Sequence, residues 1–299
     1  MSKFDLRKTL RVNPGTKLKL KDLDPEWAQT DDLKLLGKDE VKARARELLA
    51  ANLAELAEAQ DRLYAGGIHA ILVVIQAMDA AGKDGTIKHV MSGVNPQGCE
   101  VTSFKKPSAD ELRHDFLWRF VKALPERGRI GIFNRSYYEE VLIVRIHSEI
   151  LALQSLPPGK RGQGFWDRRF DDINNFEKHL DRNGTVVLKF FLNISKGEQK
   201  RRLLARLDDP AKHWKFAAAD LDERAYWDQY MDAFGDAISA TSTDHAPWYV
   251  IPADHKWAAR TAVAEILTAT IRDLRVEYPT LPPEQEAALA EARKRLEAD

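Results

Sequence analysis

The chain reads as an α/β protein with a five-stranded parallel sheet and helices on both faces. Two observations predict this. Five short strand candidates, near 69–76, 100–104, 129–133, 185–192 and 248–251, alternate with helical patterns, the order that crossover connections impose on a parallel sheet. The first run, Ile71-Leu-Val-Val-Ile75, leads through a loop of small residues into Gly82-Lys83 and then a helical pattern near Gly85. Strand, tight turn and helix start thus follow one another directly.

Residues 1–37 mix charges with Pro14 and Pro25 and lack periodicity, which predicts an irregular N-terminal arm. From Lys38 to about Leu63, Leu48, Leu49, Leu53 and Leu56 recur near helical spacing and predict a long amphipathic helix. Helical patterns over 85–92, 109–124, 138–146, 166–183, 196–207, 220–241 and 257–276 separate the strands. Residues 153–164 hold Pro157, Pro158 and three glycines and read as a mobile loop, and 281–299 as a helical tail rich in Ala, Glu and Arg. One catalytic domain over 38–280 is expected, with a helical lid at about 196–235.

Composition narrows the function. The 299 residues are 44% hydrophobic and 31% charged, with a mean hydropathy of −0.44, as in a soluble protein with a sizeable core. Lys and Arg number 46, as do Asp and Glu. Bulk charge therefore favours neither nucleic acid nor an acidic membrane, and a polyanion site requires local clustering. The lone Cys99 excludes an intramolecular disulfide and a thiolate metal cluster. No apolar run reaches membrane-spanning length, and the first residues lack the apolar segment of a signal peptide, so a cytoplasmic location is expected. The long helix and the tail offer surfaces for a homo-oligomer, a dimer or tetramer.

The stretch from Met78 to Gly85 is an anion cradle by its chemistry. Loop amides around Ala81, Gly82, Asp84 and Gly85 and the following helix dipole favour phosphate, and Lys83 can reach phosphate oxygens. It departs from G-x-x-x-x-G-K-[ST] at Ala77 and at Asp84. A carboxylate among phosphates is repulsive unless a cation intervenes, so Asp79 reads as a Mg²⁺ partner, with Mn²⁺ the alternative. The plain alternative is a glycine-rich turn with an incidental Lys and Asp.

A second constellation, Asn134-Arg135-Ser-Tyr-Tyr-Glu139, ends the third apolar run, at the strand edge where open parallel sheets bind ligands. Arg135 can grip a phosphate, while Asn134 and Glu139 can face the same cleft as metal ligands. Helix capping explains Ser136 and a glutamate equally well. A third, from Lys196 to Lys215, carries Arg202 and Arg206 one helical turn apart, then Pro210, then Lys212 and Lys215. It reads as a lid that clamps a phosphate chain, or as a solvated basic face paired with Asp208, Asp209 and Asp220. Lys106, just after the second strand, is a further polyanion contact.

Together the three constellations resemble the polyphosphate kinase 2 family over about 38–275. Ala77-Met-Asp-Ala-Ala-Gly-Lys-Asp-Gly-Thr-Ile-Lys88 is similar to its variant phosphate loop, with Lys88 closing the motif. Phe133 to Glu140 resembles its second motif, and Asp208-Asp-Pro-Ala-Lys-His-Trp-Lys215 the start of its lid. The resemblance implies a three-layer, thymidylate-kinase-like P-loop kinase fold. It also implies Mg²⁺-dependent, reversible phosphoryl transfer between inorganic polyphosphate and nucleotides such as AMP/ADP or GMP/GDP. Asp79, Lys83, Arg135 and Glu139 would be the catalytic set, and Asn134 with Glu139 is similar to the subgroup acting on both mono- and diphosphates. The competing expectations are an ATP-donor nucleoside monophosphate or small-molecule kinase, and a nucleotide-binding module without catalysis.

Overall fold

The structure, a computed structural model, describes residues 6–27, 38–215 and 218–299, with the side chains of Lys38 and Lys215 outside that description. Five strands form where the five strand candidates stand: β1 (Ala70–Ala77), β2 (Cys99–Ser103), β3 (Ile130–Asn134), β4 (Thr185–Asn193) and β5 (Trp248–Pro252). All pairs are parallel, in the order β2-β3-β1-β4-β5. Every residue of the central β1 is buried, which is why its sequence is an unbroken apolar run rather than an alternating one.

The helices are α1 (Leu6–Leu10), α2 (Lys38–Gly66), α3 (Lys83–Val90), α4 (Trp118–Val121), α5 (Ile143–Ile146), α6 (Ser148–Ala152), α7 (Gln163–Arg182), α8 (Lys196–Leu207), α9 (Ala219–Glu223), α10 (Trp227–Thr241), α11 (Lys256–Asp273) and α12 (Pro283–Ala298). Helix α11 packs against α2 and α3 in one layer, while α7 and α10 pack together in the other. The connection leaving β1 therefore joins one layer and the connection leaving β3 joins the other. Between these neighbouring strands the carboxyl edge opens a crevice, the place where such sheets hold ligands.

Three expectations need correction. The helix expected over 109–124 is a single 3₁₀ turn, Glu111–Arg113, and the short α4. Ser108 and Glu111 bond reciprocally through side chains and backbone amides, and Asp115 accepts from the Leu117 amide, so local bonds displace a continuous helix. After β3 the chain makes a 3₁₀ helix, Tyr137–Val141, before α5, rather than one α-helix. The arm is more ordered than its sequence suggests where it is described. Leu10, Val12 and Leu20 are buried, and an antiparallel bridge joins Arg11 to Tyr249 at the β5 edge. The rest of the arm, 1–5 and 28–37, lies outside the described residues.

Candidate active site

The loop between β1 and α3 is shaped by two left-handed residues, Ala80 (φ 60°) and Gly82 (φ 106°). Only the second is a glycine, so Ala80 holds a conformation disfavoured by its Cβ, of the kind retained where surrounding contacts enforce it. Those contacts come from α8. Gln199 Nε2 donates to the Asp79 carbonyl at 3.0 Å, and Arg202 Nη1 donates to the carbonyls of Ala80 (3.2 Å) and Ala81 (2.6 Å). In a trans peptide the N–H points opposite to the C=O. Holding these carbonyls toward α8 therefore turns the amides of Ala80 and Gly82 the other way, as a phosphate cradle requires.

Arg202, expected as a clamp on a phosphate chain, lines the cavity and also braces the fold. It is 6% exposed. Its Nε donates to Glu198, and Nη2 donates to the carbonyls of Ala253 and Asp254. With the two loop carbonyls these use all five guanidinium donors, so Arg202 ties the phosphate loop to the end of β5.

Lys83 opens α3, its Nζ donating to the Ala77 carbonyl at 2.9 Å. Burial lowers its pKa; the carboxylates of Asp79, Glu139 and Asp84 oppose that shift, while Arg135 adds to it. Arg135 directly follows β3 in the left-handed region (φ 65°) and pairs with Asp79 Oδ1 at 3.2 Å. Burial works against its charge, but Glu139 and Asp79 outweigh it and raise its pKa. Glu139 sits behind this pair, where burial raises its carboxyl pKa more than Arg135 and Lys83 lower it.

A cavity of about 710 Å³ covers the loop. Ten cationic side chains line it against three carboxylates, Asp79, Asp84 and Asp220, which concentrates positive charge on a neutral chain. Of the expected residues, Asp79, Ala81, Gly82, Lys83, Asp84, Gly85, Lys106, Asn134, Arg135, Arg202, Arg206 and Lys212 line it. Arg206 also pairs with Asp220 at 3.4 Å and Lys212 with Asp209 at 2.5 Å, so part of the solvated-face alternative holds too. Lys88 does not line the cavity; it lies on the exposed face of α3, carried away by the helix rise. The side chain of Lys215 falls outside the described residues.

Among the described residues no group of three or more His, Cys, Asp or Glu could hold a metal by itself. Magnesium, however, is commonly held by one or two carboxylates with substrate phosphates and water completing its octahedron. Asp79 and Asp84, both lining the cavity, fit that description. The other two expected ligands are placed differently. Asn134 Nδ2 donates to Asp84 Oδ1 at 2.8 Å and so orients a carboxylate, while Glu139 does not line the cavity.

Sequence reasoning missed Gln199, Lys256 and Arg260. The two cations were within reach, because Lys256 closely follows β5 and the carboxyl-edge rule that found Lys106 applies equally there. Nothing in the sequence marks Gln199.

The polyphosphate kinase 2 family model matches residues 38–279. The chain is 54% identical over 258 residues to an ADP-polyphosphate phosphotransferase of Rhodopseudomonas palustris, covering 86% of this chain and 89% of that one. It is 46% identical over 272 residues to an AMP/ADP-polyphosphate phosphotransferase of Meiothermus ruber, covering 91% and 95%. Among solved structures, polyphosphate kinase 2 from Arthrobacter aurescens TC1 superposes with a TM-score of 0.84 at 43% identity, covering 96% of this chain and 97% of that one.

Proposed function

The chain belongs to the polyphosphate kinase 2 family, and from that premise we propose that it transfers the terminal phosphoryl group of inorganic polyphosphate to AMP and ADP. The observation that carries this reading is the concentration of ten cations over the Asp79–Gly85 loop in a chain of zero net charge. A donor that is all phosphate needs that field, and an uncharged metabolite does not. Phosphoryl transfer asks chiefly for alignment and neutralisation of charge. Loop amides bind the donor, Lys83 and Arg135 balance the charge on the transferred group, and Asp79 holds Arg135 in place. Lys106, Arg206 and Lys212 supply further positive charge along the cavity. Asp79 and Asp84 would hold Mg²⁺, whose charge would help neutralise the phosphates.

Acceptance of both AMP and ADP rests on Asn134 with Glu139 and on the likeness to the Meiothermus ruber protein. The Rhodopseudomonas palustris relative, named for ADP, supports the narrower alternative. Purified protein with Mg²⁺, long-chain polyphosphate and either AMP or ADP, beside an ATP-donor control, decides between them. ADP formed from AMP and ATP formed from ADP are expected. Activity on ADP alone would restrict the acceptor, and transfer from ATP without any from polyphosphate would overturn the donor. A homo-oligomer and a cytoplasmic location complete the reading, and size-exclusion chromatography with light scattering tests the first.

A further inference from the structure

The segment expected as a lid returns to the core through α9 and a 3₁₀ turn, Arg224–Tyr226. Two neighbouring side chains seat this return on different parts of the molecule. Glu223 accepts from the Tyr230 hydroxyl at 2.7 Å and lies 3.0 Å from Nε2 of His147, which stands between α5 and α6. Arg224 bonds instead to the first turn of α8, where its Nη1 donates to the Lys196 carbonyl at 2.8 Å and to Gln199 Oε1 at 2.6 Å. Arg224 does not line the cavity. Its partner does reach the phosphate loop, for Gln199 is 1% exposed and donates to the Asp79 carbonyl.

These contacts leave the Gln199 amide one orientation. A guanidinium only donates and a carbonyl only accepts, so the amide oxygen must face Arg224 and the amide nitrogen Asp79. Without the guanidinium the oxygen loses its donor, and the amide is free to turn. An oxygen turned toward the Asp79 carbonyl would repel it. The peptide that follows Asp79 is sensitive to such a change, because Ala80 holds φ 60° against its own Cβ and depends on contacts from outside the loop.

We propose that Arg224 is a positioning residue for the phosphate loop and acts through Gln199, so that the loop keeps its shape only while the returning segment is seated on α8. Its effect is on the direction of the Ala80 amide rather than on the charge of the cavity. The proposal rests on phosphoryl transfer at this loop, as read above, and is independent of which donor is used.

The test compares Arg224→Met, which removes the donors and keeps much of the side-chain length, with Arg224→Lys, which keeps a charge and a donor. With ADP as acceptor and long-chain polyphosphate as donor, Arg224→Met is expected to lower kcat about tenfold with KM little changed, the cost of a misplaced cradle. Arg224→Lys should recover most of that loss. Gln199→Leu should lower kcat at least as much, and adding Arg224→Met to it should cost less than about twofold more, because the link is already cut. Hydrogen exchange read by mass spectrometry needs no turnover: peptides covering 78–85 should exchange about tenfold faster in either single variant and no faster in the double. Arg224→Met with the kcat and loop exchange of the wild type would overturn the proposal. So would losses that multiply in the double variant, since the guanidinium would then only fasten the returning segment to α8. The reading beneath it fails separately. Wild-type protein that transfers phosphate from neither polyphosphate nor ATP loses the activity, and loop exchange in the same variants still decides the role of Arg224.

Discussion

Lys83 and Lys189 carry the same charge, and burial holds both below the usual lysine pKa. Lys189, in β4, is fully buried, and its three donors meet Glu177, the Tyr138 hydroxyl and the Thr241 carbonyl. Glu177 in turn accepts from the hydroxyls of Tyr137 and Tyr138, so the cluster is closed on itself. Lys83 makes no ion pair among the described residues and rests on the Ala77 carbonyl, with Asp79, Arg135 and Glu139 around it. A core balances its buried charge internally because an unpaired ion there is expensive. A site for phosphate must leave positive charge partly unbalanced, and the chain supports that with the braces at Gln199 and Arg202.

Removing each ammonium should therefore produce opposite phenotypes. Lys83→Ala is expected to lower kcat/KM for polyphosphate about 10²- to 10⁴-fold, the loss typical of a main electrostatic group, with little change in the thermal midpoint. Near-wild-type turnover would erase the distinction. Lys189→Met should instead destabilise by about 3–5 kcal/mol, because Glu177 is left charged and unpaired in the core. Urea unfolding checks it, and the refolded fraction should keep its kcat. The double variant Lys189→Met/Glu177→Leu should recover much of that stability. Failure to recover would mean that the tyrosine hydroxyls, not the ion pair, dominate the cluster.

Arg202 belongs to both regions, buried like Lys189 yet bonded to the phosphate loop. Arg202→Lys keeps the charge but cannot reach four carbonyls in two places at once. It is expected to lower kcat about tenfold to a hundredfold, the cost of misplacing a cradle. Added guanidinium should not restore the rate, since the missing contacts lie in a buried brace. A rate unchanged in this variant would show that the loop holds its shape without α8.

The two regions were unequally legible in the sequence. The central strand stood out because Ile71–Ile75 is covered on both sides and so is apolar throughout, whereas the edge strand Cys99–Ser103 is largely exposed and mixed in composition. The loop stood out because glycine, lysine and a helix start must be contiguous to cradle an anion. Lys189 was invisible, since a lysine within Val-Val-Leu-Lys-Phe-Phe reads only as a polar interruption, and its partner Glu177 lies on another element. The bracing contacts of Arg202 were not legible, because spacing alone does not separate a buried brace from an exposed clamp. Its neighbour one turn on, Arg206, has the same residue type and half-faces the cavity. The distinction depends on which carbonyls the fold brings near, and that is a property of tertiary packing.

Glu139 gives the finest contrast between the regions. Its carboxyl pKa is raised, chiefly by burial, so in the folded protein it keeps its proton at pH values where the unfolded chain has released it. Between the unfolded value near 4.5 and the higher folded value, the native state binds more protons, and stability must fall as pH rises. Above that window the ionised carboxylate carries a constant penalty, which its attraction to Arg135 and Lys83 only partly offsets. Glu139→Gln removes the titration and keeps the shape. Unfolding by urea across pH 4.5 to 7 should show a flatter profile in this variant than in the wild type, with the variant gaining most at neutral pH. Loss of stability at neutral pH would instead mean that the attraction of Glu139 to Arg135 and Lys83 exceeds its burial penalty, as the closed cluster at Lys189 balances its own charges. The active-site group would then be a second balanced core, and the charge left open for phosphate would have to come from cavity cations away from Glu139.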